Sequence, residues 1–309
     1  MKTIKGKILA NTITSVAVSL LVVATTCIVL NYVSTQNLLE QTMTETVKVT
    51  AERVSQELQS YTNIAIESGS IARLAKSDTT AADKKSIVDQ RVTTHNLKYG
   101  NIIGADGKGV FDGADYSDRE YFTAGMKGNT YISEPIVSKV TGELAMIISA
   151  PLWQNGIPGT NVVGVIYYLP QSTFLNDIMG TIKVSPTGAA YMIDGQGYTI
   201  ADANVDAVIN RENIEEMSKS DPTLEPLSVM HKNMHNGLSG FGRYTIGGVE
   251  KFNAYAPVPG TNNWSISITA HTADFMGASI NATIITVILL IVALLAAAAT
   301  ALKMANAIS

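Results

Sequence analysis

An arginine followed closely by two aromatic residues is the clearest candidate for binding chemistry in the sequence. Arg119, Tyr121 and Phe122 lie within the segment DREYF. An arginine side chain offers a planar fork of donors that fits a carboxylate, and adjacent aromatic rings exclude water and strengthen that pair. Taken alone, these residues favour a plainer interpretation, a surface arginine balanced by Asp115, Asp118 or Glu120, because exposed pairs of this kind are common.

Other patterns that could indicate chemistry are weaker. His231 and His235 lie four residues apart on an expected helix, a spacing that can bind one metal ion. A third ligand is not evident nearby, so we expect a solvated helical face. Serine, histidine and aspartate occur without a nucleophile elbow, a phosphate-binding loop or a dinucleotide fingerprint. We therefore expect no enzyme activity, no metal site and no cofactor.

The composition limits the class of protein. The chain has 309 residues, of which 46% are hydrophobic, and a formal net charge of -4. This excludes a disordered chain and a basic nucleic-acid-binding protein, because apolar material is ample and no positive field exists to gather phosphates. The length allows about two domains.

Two long uncharged segments lie near the ends of the chain, at residues 8–32 and 275–302. Each is long enough to cross the ~30 Å hydrocarbon core as a helix; a cleaved signal peptide is the alternative for the first. The lysines that flank them on their outer sides are Lys2, Lys5, Lys7 and Lys303. By the positive-inside rule both termini lie in the cytoplasm and residues 33–274 lie outside.

A long amphipathic helix is predicted directly after the first span, over residues 33–76. Its apolar residues recur at intervals of three and four: Leu39, Met43, Val47, Ala51, Val54, Leu58, Tyr61 and Ala65. An apolar stripe of this length must be buried against another part of the chain or against a partner chain. Both packing on its own domain and a coiled-coil-like seam of a homodimer fit the pattern.

Strand-like segments and glycine-rich turns fill most of the remaining exterior region. Residues 105–113 and 193–202 share the pattern Asp-Gly-x-Gly between β-forming residues, the turn chemistry of a tight hairpin. This internal repeat suggests two copies of one sheet module.

The order of these features resembles the double Cache (dCache) sensory region of bacterial methyl-accepting chemotaxis proteins. The segments that carry the resemblance are DREYF, YISEP (residues 131–135), VVGV (residues 162–165), MIDGQG and NWSISI, between two spans. The resemblance implies an α+β fold: a long N-terminal helix and two PAS-like antiparallel-sheet modules, flanked by two transmembrane helices. The expected boundaries are a cytoplasmic N-terminus at 1–7, spans at 8–32 and 275–302, the stalk helix at 33–76, a membrane-distal module at 77–180, a membrane-proximal module at 181–274 and a cytoplasmic linker from 303 to 309.

In that family the distal module binds the ligand, and an Arg-x-aromatic-aromatic motif supplies part of the pocket. The resemblance assigns this role to Arg119, Tyr121 and Phe122. The further candidate ligand-binding residues are Tyr116, Tyr131, Ser133, Ile166 and Tyr168.

Members that bind α-amino acids carry an aspartate where this chain has Ile166. Because strand side chains alternate, Tyr168 shares the face of Ile166, and an alignment slip of one residue would exchange Tyr168 for Tyr167. A pocket with an arginine and tyrosine hydroxyls but no acid is expected to bind a short organic or hydroxy acid without an amine.

We expect the sensory region of a homodimeric chemoreceptor that signals through the second span to a cytoplasmic domain beyond Ser309. Its partners are the membrane and a small-molecule ligand, not a nucleic acid. The alternatives are the sensor of a histidine kinase or cyclic-dinucleotide enzyme, and an amino-acid or nucleobase ligand. A membrane-anchored hydrolase or adhesin is a more distant alternative.

Overall fold

A single helix forms the N-terminal part of the molecule. The computed structural model describes residues 4–137, 144–171 and 174–307. Helix α1 (Ile4–Gly69) runs through 66 residues without a break, which is about 99 Å at 1.5 Å per residue. The predicted first span and stalk are thus one continuous helix, which ends at Gly69 rather than near Lys76.

The other helices are shorter, except for the last. They are α2 (Ala72–Ala75), α3 (Ala81–Thr94), α4 (Glu120–Met126), α5 (Phe174–Thr181), α6 (Val205–Ile209), α7 (Ile214–Met217), α8 (Glu225–His235) and α9 (Thr272–Ala307), with 3-10 turns at Gln154–Gly156 and Pro222–Leu224. Two helical segments, Ala10–Gly69 and Thr272–Lys303, are long and apolar enough to cross a membrane.

Two antiparallel sheets follow α1 in the chain. The strands are β1 (Tyr99–Gly104), β2 (Tyr131–Ile132), β3 (Ile136–Val137), β4 (Leu144–Ala145), β5 (Ile148–Trp153), β6 (Val162–Leu169), β7 (Ala189–Ile193), β8 (Thr199–Asp202), β9 (Gly240–Ile246), β10 (Val249–Pro257) and β11 (Ser265–His271). The first sheet has the order β1-β6-β5-β2 and the second β8-β7-β11-β10-β9, while β3 and β4 pair separately. The predicted α+β fold, a long helix with two antiparallel sheets, is confirmed.

Both sheets pack against the apolar stripe of α1. Residues from Leu39 to Leu58 on the stripe are buried in a cluster with the second sheet. Ile64 and Ala65 are buried in a second cluster with the first sheet. The stripe therefore packs on its own chain, the first of the two alternatives that its pattern allowed.

Helix α9 continues from the second sheet without a linker, because β11 ends at His271 and α9 begins at Thr272. Near the start of α9, the carboxylate of Asp274 accepts hydrogen bonds from the backbone N–H and the hydroxyl of Thr187, at 3.1 and 2.6 Å. Further along, the Ser279 hydroxyl donates to Oδ1 of Asn31 on α1 at 2.7 Å. Hydrogen bonds thus connect α9 both to the segment that precedes β7 in the second sheet and to α1.

Gly69 ends α1 where the helix meets the backbone of β5. A Cβ atom at this position would lie 2.2 Å from the carbonyl oxygen of Pro151. We therefore expect Gly69→Ala to lower the free energy of unfolding by about 1–3 kcal/mol, since the backbone must shift to relieve the clash.

The matched control is Gly180→Ala in α5, because a Cβ atom there meets no atom within 4 Å. Removing a helical glycine from an open site should stabilise the protein by up to about 1 kcal/mol. Chemical denaturation of both variants measures the difference, and equal stabilities would show that α1 does not contact β5 in this way.

Candidate functional site

The two faces of strand β6 have different surroundings. Ile166 and Tyr168 face the side of the first sheet that α1 covers, where both are fully buried in the cluster with Ile64 and Ala65. The Tyr168 hydroxyl donates a hydrogen bond to Oγ of Ser68 on α1 at 2.9 Å. The prediction that Ile166 and Tyr168 lie beside Arg119 is therefore wrong.

Tyr167 is the residue that a one-residue slip of the alignment would exchange for Tyr168. It is buried on the opposite face with Tyr116, Tyr121 and Phe122. Its ring centroid lies 5.7 Å from that of Tyr116 and 5.6 Å from that of Tyr121. Aromatic side chains thus fill the face of the first sheet that α1 leaves open.

A hydrogen-bonded chain anchors these tyrosines to Asp112. The Tyr167 hydroxyl donates to the Tyr116 hydroxyl at 3.2 Å, which in turn donates to Oδ2 of Asp112 at 2.7 Å. The side-chain amide of Asn101 donates to the same oxygen at 2.9 Å. These hydroxyls are engaged within the protein, so Tyr116 supports the site rather than lining its cavity.

A cavity of about 270 Å³ lies at the N-terminus of α4, between that helix and β2. Its lining residues are Asp118, Arg119, Glu120, Tyr121, Tyr131, Ser133 and Glu134. Four of the eight predicted site residues, Arg119, Tyr121, Tyr131 and Ser133, thus come together here. Phe122 is buried beside the cavity among the tyrosines rather than lining it.

Local structure places the Arg119 side chain at this cavity. Arg119 precedes α4 with extended backbone angles, and its carbonyl oxygen accepts a hydrogen bond from the Phe122 backbone N–H at 3.0 Å. Its Nε lies 3.8 Å from Oδ1 of Asp118, beyond hydrogen-bond distance. This buried Nε has no hydrogen-bond partner within the described part of the chain. A buried donor without an acceptor is costly, and it marks the place where a ligand oxygen would be stabilised.

The opposite wall of the cavity carries the tyrosine and serine of the segment YISEP. The Tyr131 hydroxyl donates a 2.6 Å hydrogen bond to Oε2 of Glu120, which joins β2 to α4 across the cavity. The Ser133 hydroxyl oxygen accepts from the Ile147 backbone N–H at 2.9 Å. Burial raises the pKa of Tyr121 to about 12, so its hydroxyl is neutral at physiological pH.

Acidic residues also line the cavity, contrary to the expected pocket without an acid. Glu134 is partly buried, and burial together with the negative charge of Asp194 raises the pKa of its carboxyl group. Asp194 belongs to the second module and lies 3.7 Å from Nη2 of Arg211. Glu134 directly follows Ser133 in the segment YISEP. The candidate residue Ser133 was therefore the feature of the sequence that could have pointed to Glu134.

The histidine pair on α8 has a different role from the one expected. His231 is fully buried rather than solvated, and its Nε2 lies 2.8 Å from the Tyr191 hydroxyl. His235 instead places its Nδ1 2.7 Å from Oε1 of Glu215. Across the residues that the structure describes, no group of three histidine, cysteine, aspartate or glutamate side chains could bind a metal ion.

The dCache_1 model of the Cache domain family matches residues 31–279 of the chain. The chain belongs to the Cache domain family. The predicted resemblance is thus confirmed at the level of the sensory domain. The comparison with curated proteins found no match.

Solved structures of two chemoreceptor ligand-binding domains and one extracellular domain share the fold of this chain. The ligand-binding domain of the Pseudomonas fluorescens chemoreceptor CtaA, in complex with L-serine, is 17% identical with a TM-score of 0.61, over 77% of this chain and 99% of that chain. The ligand-binding domain of the Campylobacter jejuni chemoreceptor Tlp3, in complex with L-valine, is 14% identical with a TM-score of 0.60, over 79% and 96%. The extracellular domain of the proposed histidine kinase mmHK1S-Z2 is 14% identical with a TM-score of 0.58, over 77% and 98%.

Burial of His231 predicts a specific dependence of stability on pH. Burial, and to a lesser extent the charge of His235, lower the pKa of His231 to about 4, against about 6.5 in an unfolded chain. As pH falls from about 7.5 to 5, the unfolded chain gains a proton that the folded protein does not, so the folded state loses about 2 kcal/mol of stability.

The variant His231→Gln has no titrating group at this position and keeps a hydrogen-bonding partner for Tyr191. Urea denaturation at several pH values should show that it lacks this loss, so that wild type and variant converge in stability by about 2 kcal/mol over the interval. Parallel curves for wild type and His231→Gln would contradict the assignment.

Proposed function

We propose that this Cache protein is an extracytoplasmic sensor whose distal module binds a small zwitterion, an α-amino acid. The observation that supports this most directly is the joint placement of Arg119 and Glu134 on one small cavity. The guanidinium group, whose Nε has no hydrogen-bond partner among the described residues, would bind the ligand carboxylate. The Glu134 carboxylate would bind the ammonium group.

The charges around the cavity favour a zwitterion over a simple carboxylate. Asp118, Glu120 and Glu134 line the cavity together with one arginine, so a ligand with only a negative charge would face a net negative site. A buried charge is stable only when it is paired. An ammonium group beside Glu134 would satisfy that condition, and the amine-free ligand expected from Ile166 loses its basis because Ile166 lies on the other face.

Size and family context agree with an amino-acid ligand. At about 270 Å³, the cavity is slightly smaller than the range of about 300–1,000 Å³ that is typical of sites for drug-sized ligands, which suits a small ligand. The CtaA and Tlp3 domains with the same fold were solved in complex with L-serine and L-valine. These structural neighbours are ligand-binding sensor domains rather than enzymes, which supports a sensory role without catalysis.

The proposed signal passes from the distal module to α9. Ligand binding between α4 and β2 would pull these two elements together and shift α9 relative to α1 by an ångström or two, a known amplitude for helix switching. The output domain beyond Ser309 would belong to a chemoreceptor, or to a histidine kinase, as the likeness to mmHK1S-Z2 allows.

We also propose that two copies associate along α1. The apolar stripe is occupied by the protein's own sheets, so the contact must use another part of the helix. Leu38 and Val49 are 66% and 68% exposed on α1, and they lie in the part of the helix that would emerge from the membrane. They are therefore the best candidates for a homodimer seam.

The proposed topology can be tested by thiol labelling, because Cys27 is the only cysteine. In a Cys27→Ser background, we expect Lys127→Cys to react with a membrane-impermeant maleimide in intact cells, since Lys127 is exposed in the distal module. Lys303→Cys should react only after the cells are permeabilised. Labelling of Lys303→Cys alone in intact cells would place the sensory region in the cytoplasm and contradict the proposal.

The ligand class can be tested by titrating the full chain in detergent with L-serine, L-valine, L-lactate and acetate. We expect an amino acid to raise the melting temperature, with about 2.7 kcal/mol of stabilisation at one hundred times its dissociation constant. Arg119→Gln should abolish this stabilisation because the carboxylate loses its bidentate partner. Lys127→Gln, at the other end of α4 and outside the cavity, is the matched control and should keep it.

Two outcomes would contradict this assignment. Stabilisation by lactate or acetate but by no amino acid would favour the amine-free carboxylate. Stabilisation by an amino acid that persists in Arg119→Gln would place the ligand elsewhere.

A further inference from the structure

A second cavity of about 310 Å³ lies where the two modules and α1 meet; we call it the junction cavity. Its lining residues are Gln59 and Thr62 of α1; Thr130, Tyr131, Ile132 and Glu134 of the distal module; and Gly260, Thr261, Asn262 and Trp264 of the proximal module. A ligand here would touch all three parts of the fold.

The proximal wall of the junction cavity is preformed. In the loop between β10 and β11, the Thr261 hydroxyl donates to the Val258 carbonyl oxygen at 2.8 Å and accepts from the Trp264 backbone N–H at 3.1 Å. The Ser55 hydroxyl of α1 donates to the Pro259 carbonyl oxygen at 2.8 Å. A loop held in place before binding loses less entropy when a ligand arrives.

The chemistry of the lining selects for a positive charge. Among the described residues that line the junction cavity, Glu134 carries the only charge, while the others supply amide, hydroxyl and aromatic groups. The Arg119 cavity differs, since a guanidinium group lines it together with its carboxylates. A carboxylate beside the aromatic rings of Tyr131 and Trp264 is the combination that binds organic cations.

The two cavities share a wall. Tyr131 and Glu134 line both of them. Between these residues, Ile132 packs against both hydrophobic clusters, the one formed with the first sheet and the one formed with the second. A displacement of this short segment in one cavity therefore also displaces the wall of the other cavity.

We propose that the junction cavity is a second binding site, for a small organic amine, and that its occupant weakens ligand binding in the Arg119 cavity because both ligands require the Glu134 carboxylate. Binding at the junction cavity stands on its own lining, and only the coupling rests on the proposed function. Since coupling between two sites is reciprocal, an amino acid must weaken amine binding by the same factor.

Calorimetric titration of the full chain in detergent, with ethanolamine and putrescine as probes, tests the site. We expect one of these amines to bind the wild type with a dissociation constant below about 10 mM. Asn262→Trp and Thr130→Trp, two exposed positions on opposite walls, should fill the cavity and reduce amine affinity at least tenfold. Lys127→Trp, at an exposed position that lines neither cavity, is the matched control and should retain amine binding.

Two results would overturn the second site. They are no amine binding to the wild type, and unchanged binding in both tryptophan variants.

The coupling is measured by repeating an L-serine or L-valine titration with the amine at saturation. We expect the amino-acid affinity to fall about fivefold or more, and to be insensitive to the amine in Asn262→Trp. An unchanged wild-type affinity would overturn the coupling. If amines bind as expected but no amino acid binds the wild type, the proposed function fails while the junction cavity remains a binding site.

Discussion

The packing of one apolar stripe of α1 against both sheets is the constraint on which the rest of the molecule depends. The same helix face buries Val47 and Val54 with the second sheet and Ile64 and Ala65 with the first. Burial of aliphatic side chains is worth roughly 1.5–3 kcal/mol each, so the helix and its two sheets form a strongly connected unit. Displacing either module relative to α1 would expose part of this shared core.

This packing also decides where a ligand can bind. Helix α1 covers one face of the first sheet, where Ile166 and Tyr168 of β6 are buried, so the proposed amino-acid site lies at the other face and its edge. There α4 brings Arg119 to the cavity, and β2 brings Tyr131. The segment that carries Tyr131 continues to Glu134 at the boundary between the modules, which links the site to the second sheet and thereby to α9.

Periodic and compositional signals in the sequence were sufficient to predict the two apolar helices, the α1 stripe and the paired sheet modules. The face assignment of β6 failed because VVGVIYYL is apolar throughout and its residues from Gly164 to Leu169 are all buried; alternation cannot orient a strand that is covered on both sides. Glu134 was missed because its place at the cavity follows from the packing of β2 against α4, and His231 because the burial of a helix face follows from tertiary packing.

The central claim is that one small cavity binds both ends of a zwitterion, with Arg119 and Glu134 on its walls. A crystal structure of the chain with its tightest-binding amino acid tests this most directly. The account predicts the ligand carboxylate within hydrogen-bond distance of the Arg119 guanidinium group and the ammonium group beside the Glu134 carboxylate, at about 2.7–2.9 Å. A ligand bound on the Ile166 and Tyr168 face of the sheet, or one that leaves Arg119 unpaired, would contradict it.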